Sequence, residues 1–153
     1  MNRITSHEYK EAIYYAYQLL PLPIANMLQG VHFLTGTDPV YAGLHRCINT
    51  HDGRSYRNTA HVNFPGKTTI VLPKLEDACP YVIIHELGHC LDEILGFAHI
   101  ALPINDYAKT NRLESFAESF AAQYFWLGEK EEVIFQSDKA TQYLFEKLVT
   151  NNG

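Results

Sequence analysis

Apolar residues near the N-terminus recur at helical spacing, with Tyr9, Ala12, Ile13, Ala16, Leu19 and Leu20 on one face. They predict a helix over about 7 to 20, capped by Ser6, packed on the core and ended by Pro21-Leu22-Pro23. The period then shortens. Residues 31–34 read as a strand closed by the turn-prone Thr35-Gly36-Thr37-Asp38-Pro39, and the polar stretch 47–58 reads as an exposed loop. Residues 60–64 and 68–72 flank Pro65-Gly66-Lys67, predicting two strands joined by a tight turn. Helical spacing returns over 78–95, with Asp77 as N-cap, Pro80 in the first turn and Gly96 as the stop. A further helix is predicted over 112–127, capped by Asn111 and ended by Gly128, and a last one from Ser137 or Asp138 to about 149. The order of helix, strands and then helices predicts an α+β fold in which helices cover one small sheet.

Composition narrows the class without changing this outline. A chain of 153 residues fits one domain, 1–153, and buries roughly two thirds of its unfolded surface, enough for a core without disulfide staples. With 46% hydrophobic and 19% charged residues it is globular rather than disordered. The net charge is -5 and the Lys and Arg residues are scattered, which argues against nucleic acid and anionic membrane as partners. The N-terminus lacks an apolar h-region and no apolar run approaches the roughly 20 residues of a bilayer span. The expected location is the cytoplasm, or the exterior by a signal-peptide-independent route. Cys47, Cys79 and Cys90 match no CxxC-type cluster and are expected to be reduced, mostly structural thiols.

Candidate chemistry lies on the helix predicted over 78–95, which carries His85-Glu86-Leu87-Gly88-His89. Four residues apart, His85 and His89 lie about 40° apart round the axis and one turn along it, so both imidazoles can reach one ion. Glu86, about 60° round from His89, can hold a metal-bound water without ligating the metal. With 8 His and 11 Glu in the chain, shuffling yields (8/153)(11/153)(8/153) × 149, or roughly 0.03 HExxH motifs, so the motif is moderately specific. Its surroundings add weight: Tyr81, Val82, Ile83, Ile84, Leu87, Leu91, Ile94 and Leu95 make the helix apolar nearly all round. Two histidines and a glutamate buried there need partners, and a metal satisfies all three. The competing reading is of core histidines bonded to backbone carbonyls.

Catalytic zinc needs a third protein ligand and an open fourth position. His99, Asp106, Glu114 and Glu118 are the downstream candidates. Leu113, Phe116, Ala117, Phe120, Ala121 and Tyr124 form an apolar stripe on the helix over 112–127, and Glu114 and Glu118 share one flank of it. They suit a ligand and a residue supporting a ligand. Asn111-x-x-Glu114 also reads as a capping box, and Glu118 as a solvated charge or one placed by the helix dipole. Asp92, three residues after His89, either bonds a ligand imidazole or is an ordinary surface charge. Tyr107 lies in a loop before the second helix, where its phenol can face a cleft or simply pack.

Tyr81-Val82-Ile83-Ile84-His85-Glu86-Leu87-Gly88-His89, Asp92 and Glu114-Ser115-Phe116-Ala117-Glu118-Ser119-Phe120 together resemble the catalytic domain of anthrax lethal factor and the related Pro-Pro endopeptidases. The resemblance covers about 81–120, with a connection of 25 positions from His89 to Glu114 that is short for that family. It implies a compact zincin-like domain: a small mixed β-sheet packed against an HExxH active-site helix and a second, ligand-bearing helix. It also implies Glu114 as third ligand and Tyr107 as catalytic tyrosine.

The expected activity is that of a zinc metalloendopeptidase, gluzincin-like, with one Zn2+ per chain held by His85, His89 and Glu114. Glu86 would activate the zinc-bound water and pass its proton to the leaving amine, with Tyr107 on the oxyanion and Glu118 and Asp92 supporting the ligands. The partner would be a protein or peptide, of narrow range as in toxin- or effector-like proteases, and 68–72 is the candidate edge strand for pairing with it. The alternatives are a zincin-fold binding or regulatory module without significant peptidase activity, and a structural domain without metal. Glu86 speaks against the module, since structural zinc needs no general base.

Overall fold

A computed structural model describes residues 7–35, 61–63, 68–73, 75, 78–125 and 138–152. The described chain is helix-dominated α+β. Its elements are α1 (His7–Gln18), α2 (Leu22–Met27), β1 (His32–Thr35), β2 (His61–Asn63), β3 (Thr69–Leu72), α3 (Pro80–Ile94), a 3-10 turn (Tyr107–Thr110), α4 (Arg112–Tyr124) and α5 (Lys139–Asn152). The predicted loop over 47–58 and the turn at 65–67 lie outside the described residues.

α1 buries Ile13 and Ala16 as its spacing predicts, and the Tyr9 hydroxyl donates to the Pro73 carbonyl at 2.8 Å, tying the helix to the end of β3. Pro21-Leu22-Pro23 ends α1 but also opens α2, which periodicity alone did not predict. Proline is tolerated in the first helical turn because the N–H it lacks has no intrahelical acceptor there.

The sheet is mixed. β1 runs parallel to β3 with Phe33 opposite Ile70, and β2 runs antiparallel to β3 with Val62 opposite Ile70. Its order is β1-β3-β2, so the strand over 68–72 is central rather than at an edge as expected for peptide pairing. Ile70, Val71 and Leu72 are fully buried, the continuous apolar run of an interior strand, and β3 has a neighbour on each side.

α3 begins at Pro80 with Cys79 as N-cap, two residues later than predicted; Asp77 is not among the described residues. Its end is set by Gly96, whose φ of +73° suits a residue without Cβ. The Gly96 N–H donates to the Glu93 carbonyl and the Phe97 N–H to the Asp92 carbonyl, the paired bonds of a Schellman cap. Ile83, Ile84, Leu87 and Leu91 are fully buried, as an all-round apolar helix requires, whereas Ile94 in the last turn is exposed.

α4 stops at Tyr124, short of the predicted 127, and Phe125 is extended. Leu113, assigned to the apolar stripe, is exposed, because it lies in the first turn, ahead of the stretch 114–121 that is buried all round. In α5 the Asp138 carboxylate accepts from the Thr141 N–H, so Asp138 is the residue that caps it.

The core runs through every layer, from Ile13 and Leu28 through Phe33 and Ile70 to Leu87, Phe116 and Phe145. Phe145 of α5 meets Phe116 and Phe120 edge-on at 5.8 and 5.5 Å between ring centroids. No described helix is long and apolar enough to cross a membrane.

Candidate metal centre

The close approach of α3 and α4 starts from a missing side chain. A Cβ at Gly88 would lie 3.1 Å from the Ala117 Cα and 3.2 Å from Phe120 Cβ, tighter than ordinary contact, so the absence of a side chain there lets the two helices come this near without displacement. The motif histidines of α3 consequently face the glutamates of α4 across a buried seam.

Glu114 Oε1 lies 2.9 Å from His85 Nε2 and 3.1 Å from His89 Nε2. The two imidazoles meet edge-to-face, with centroids 5.0 Å apart. One nitrogen from each imidazole and one Glu114 oxygen lie within 4.8 Å of one another, close enough to hold a metal ion. Asn111 accepts the Glu114 N–H at 2.9 Å, so half the capping box forms; the Glu114 carboxylate turns to the histidines instead of completing it. The cap and the contact with the histidines therefore use different atoms of Glu114, its N–H and its carboxylate.

Behind the pair, His85 Nδ1 lies 2.6 Å from Glu118 Oε2. The other Glu118 oxygen accepts from the Tyr81 hydroxyl at 3.0 Å and from the Asn105 amide at 2.7 Å. A carboxylate on Nδ1 fixes the ring's orientation and leaves Nε2 for a metal. Glu86 is buried beside the cluster, its Oε2 3.9 Å from His85 Nε2. Tyr107 opens the 3-10 turn at the rim, 40% exposed, its ring centroid 5.9 Å from that of His85.

The electrostatics follow from this crowding. Burial opposes charge on His85, but hydrogen bonds to Glu114 and Glu118 and the Glu86 charge raise its pKa to about 10. Burial pushes Glu114 upward, yet its hydrogen bonds to His85 and His89 hold it far below the usual carboxylate range. Glu118 is also held low: against burial act the His85 hydrogen bond and charge, then Asn105 and Tyr81. Glu86 moves the other way, because burial raises its pKa more than the two histidines lower it. The shifts of His85, Glu114 and Glu118 share one cause, an imidazole held between two carboxylates that favour its charged form.

Other predicted residues lie elsewhere. Asp92, expected beside a ligand imidazole, is fully buried in an ion pair with Arg112, which also donates to the His99 carbonyl. The guanidinium reaches back from α4's first turn and clamps the end of α3, and that is the partner Asp92 takes. His99 meets the Thr141 hydroxyl at 2.8 Å, and Asp106 is fully exposed and pairs with Lys109. Neither of these third-ligand candidates reaches the cluster. Cys79 and Cys90 are free thiols, and burial pushes the Cys90 thiol up. Tyr81, Asn105 and Gly88 escaped the sequence reading as parts of the site. Tyr81 alone carried a signal, since it sits one turn before His85 on the same flank.

An open groove of about 660 Å³ between α1, α2 and β1, lined by Ile13, Tyr17, Leu22 and Phe33 among others, contains none of these residues. Its lining lacks convergent nitrogen and carboxylate donors, so size does not make it the reactive site. No protein-family model matches the chain, and no curated protein or solved structure matches it.

Proposed function

We propose that the chain is a zinc-dependent endopeptidase whose metal is held by His85, His89 and Glu114. One observation carries the reading: both histidine Nε2 atoms point at the same Glu114 oxygen, while a buried fourth group, Glu86, borders them without sharing that oxygen. Two imidazoles, one carboxylate and no thiolate form the donor set of catalytic zinc with an open position. The same donors also suit iron(II), but the buried Glu86 carboxyl beside the two histidines supplies the general base that hydrolysis needs.

Zinc, when bound, supplies Lewis-acid polarisation of a carbonyl and acidifies water. The chain's own residues do the rest. Glu86 takes a proton from the attacking water and returns it to the leaving amine. Tyr107, at the rim with its ring near His85, donates its phenolic hydrogen to the oxyanion. Glu118 keeps His85 turned toward the ion. Because β3 is interior, an extended peptide would have to pair with an edge, and of the two edges among the described strands, β1 and β2, it is β2 that packs on α3. A substrate range of one or a few proteins is what the lethal-factor resemblance supports.

The test is hydrolysis of a peptide library by zinc-loaded protein, with and without a chelator. Chelator-sensitive cleavage within the peptides is the expected result. A fully zinc-loaded protein that cleaves nothing would favour the binding or regulatory module, and iron in place of zinc on metal analysis would move the chemistry to another class.

A further inference from the structure

Asn105 lies in the segment between α3 and the 3-10 turn and makes two hydrogen bonds of opposite sense. Its Nδ2 donates to Glu118 Oε1 at 2.7 Å, and its Oδ1 accepts the Ala108 N–H at 2.8 Å. The amide orientation is forced, since the Ala108 backbone N–H only donates and must meet Oδ1, which leaves Nδ2 for the Glu118 carboxylate. On one side Asn105 therefore holds the carboxylate that fixes His85 Nδ1. On the other it accepts from the second residue of the turn that begins at Tyr107, two residues along the chain.

We propose that Asn105 is a positioning residue that ties the presentation of the His85 imidazole to that of the Tyr107 phenol. This rests on the peptidase reading. Among the described residues, Glu118 Oε1 has a second donor in Tyr81, but Tyr81 sits on α3 with its ring against Phe125 and carries nothing toward Tyr107. Asn105 joins the two groups through three consecutive hydrogen bonds: imidazole to carboxylate, carboxylate to amide, amide to the turn. No other natural side chain of this length supplies a donor and an acceptor in one plane. Aspartate keeps the acceptor for Ala108 but sets a like charge against Glu118, and alanine removes both bonds.

The two substitutions separate the two arms. Zinc affinity, read by competition with a chelator, should fall by up to about 10-fold in both Asn105→Asp and Asn105→Ala, the low end of the loss expected when a ligand imidazole loses its own partner, because Glu118 stays bonded to His85 and Tyr81. Hydrogen exchange at the Ala108 amide should stay slow in Asn105→Asp and become fast in Asn105→Ala. Turnover by zinc-saturated protein should then fall further in Asn105→Ala. In the metal-free protein the His85 Nδ1 nitrogen shift should move in both variants, a readout that purely structural loss of stability leaves unchanged. Wild-type zinc affinity in a folded Asn105→Asp, or unchanged Ala108 protection in Asn105→Ala, overturns the proposal. Should Asn105→Asp fail to fold, the affinity, the Ala108 exchange rate and the nitrogen shift of Asn105→Ala decide it. Failure of the peptidase reading is distinct, because it shows as absent turnover in the wild type while affinity, exchange and nitrogen shift still report on Asn105.

Discussion

His85 Nδ1 and Glu118 Oε2 lie 2.6 Å apart, in a seam where both side chains are buried. This pairing sorts the two glutamates of α4 into different tasks: Glu114 faces the shared Nε2 side of the histidines, and Glu118 stands behind one of them. Glu114→Ala should abolish stoichiometric metal binding, whereas Glu118→Ala should weaken it roughly 10 to 100-fold. A chelator-competition titration of both variants checks the ranking, and the reverse order would give the ligand role to Glu118.

Metal uptake should expel protons. The His85 pKa is raised to about 10 in the metal-free protein, so its protonation stabilises the fold fully below its ordinary value near 6.5 and ceases to do so as pH rises through about 10. Across that window the metal-free protein loses stability while metal affinity climbs, because binding needs Nε2 unprotonated. At pH 7 about one proton per chain should leave His85 on binding. Calorimetry in buffers of different ionisation enthalpy measures it, and a buffer-independent heat would mean that His85 is already neutral.

Gly88→Ala sets two known effects against each other. Alanine favours a helix by up to about 1 kcal/mol over glycine, but overpacking a tight seam costs about 1 to 3 kcal/mol. The nearest obstacle to the new Cβ is the Ala117 Cα, which is backbone and can yield only if α4 moves. The variant should melt lower and bind metal more weakly, since the displaced helix carries Glu114. A thermal melt with a metal titration decides it; a more stable variant of unchanged affinity would show that the seam has slack.

Much of this arrangement was legible in the sequence, for reasons of range. The HExxH spacing is local, so the placing of His85, Glu86 and His89 on one helix follows from helical geometry alone, and the runs on either side of residues 65–67 do form two paired strands, β2 and β3. The partner of Asp92 was not legible. Its ion pair with Arg112 spans 20 residues, whereas local spacing offered only a ligand imidazole, His89 three positions away, or an ordinary surface charge. The central place of β3 was missed for a similar cause, since an apolar run of three residues reads alike at an edge or inside until β1 is known to lie beside it. Asn105 carries no periodic signal, because loop residues acquire partners only when the helices on either side are in place.

Tyr107→Phe removes one hydroxyl and almost no volume. If that hydroxyl donates to the oxyanion, kcat should fall by roughly 10²-fold or more while KM and zinc content change little. A structural hydroxyl would instead cost about 1 kcal/mol of stability and leave turnover near wild type. Steady-state kinetics beside a melt of the same preparation separates these outcomes, and wild-type kcat would remove Tyr107 from the reaction.

The most direct measurement is kcat for Glu86→Gln at full zinc occupancy, on a peptide that the wild type cleaves. Glutamine keeps the shape of the buried side chain and takes away only its capacity to accept and return a proton, while His85, His89 and Glu114 still hold the metal. Zinc content equal to wild type, with kcat lowered by about 10² to 10⁴-fold, is the predicted result. Wild-type turnover in the zinc-loaded variant would contradict the assignment of Glu86 as the base, and with it the hydrolytic reading of the site.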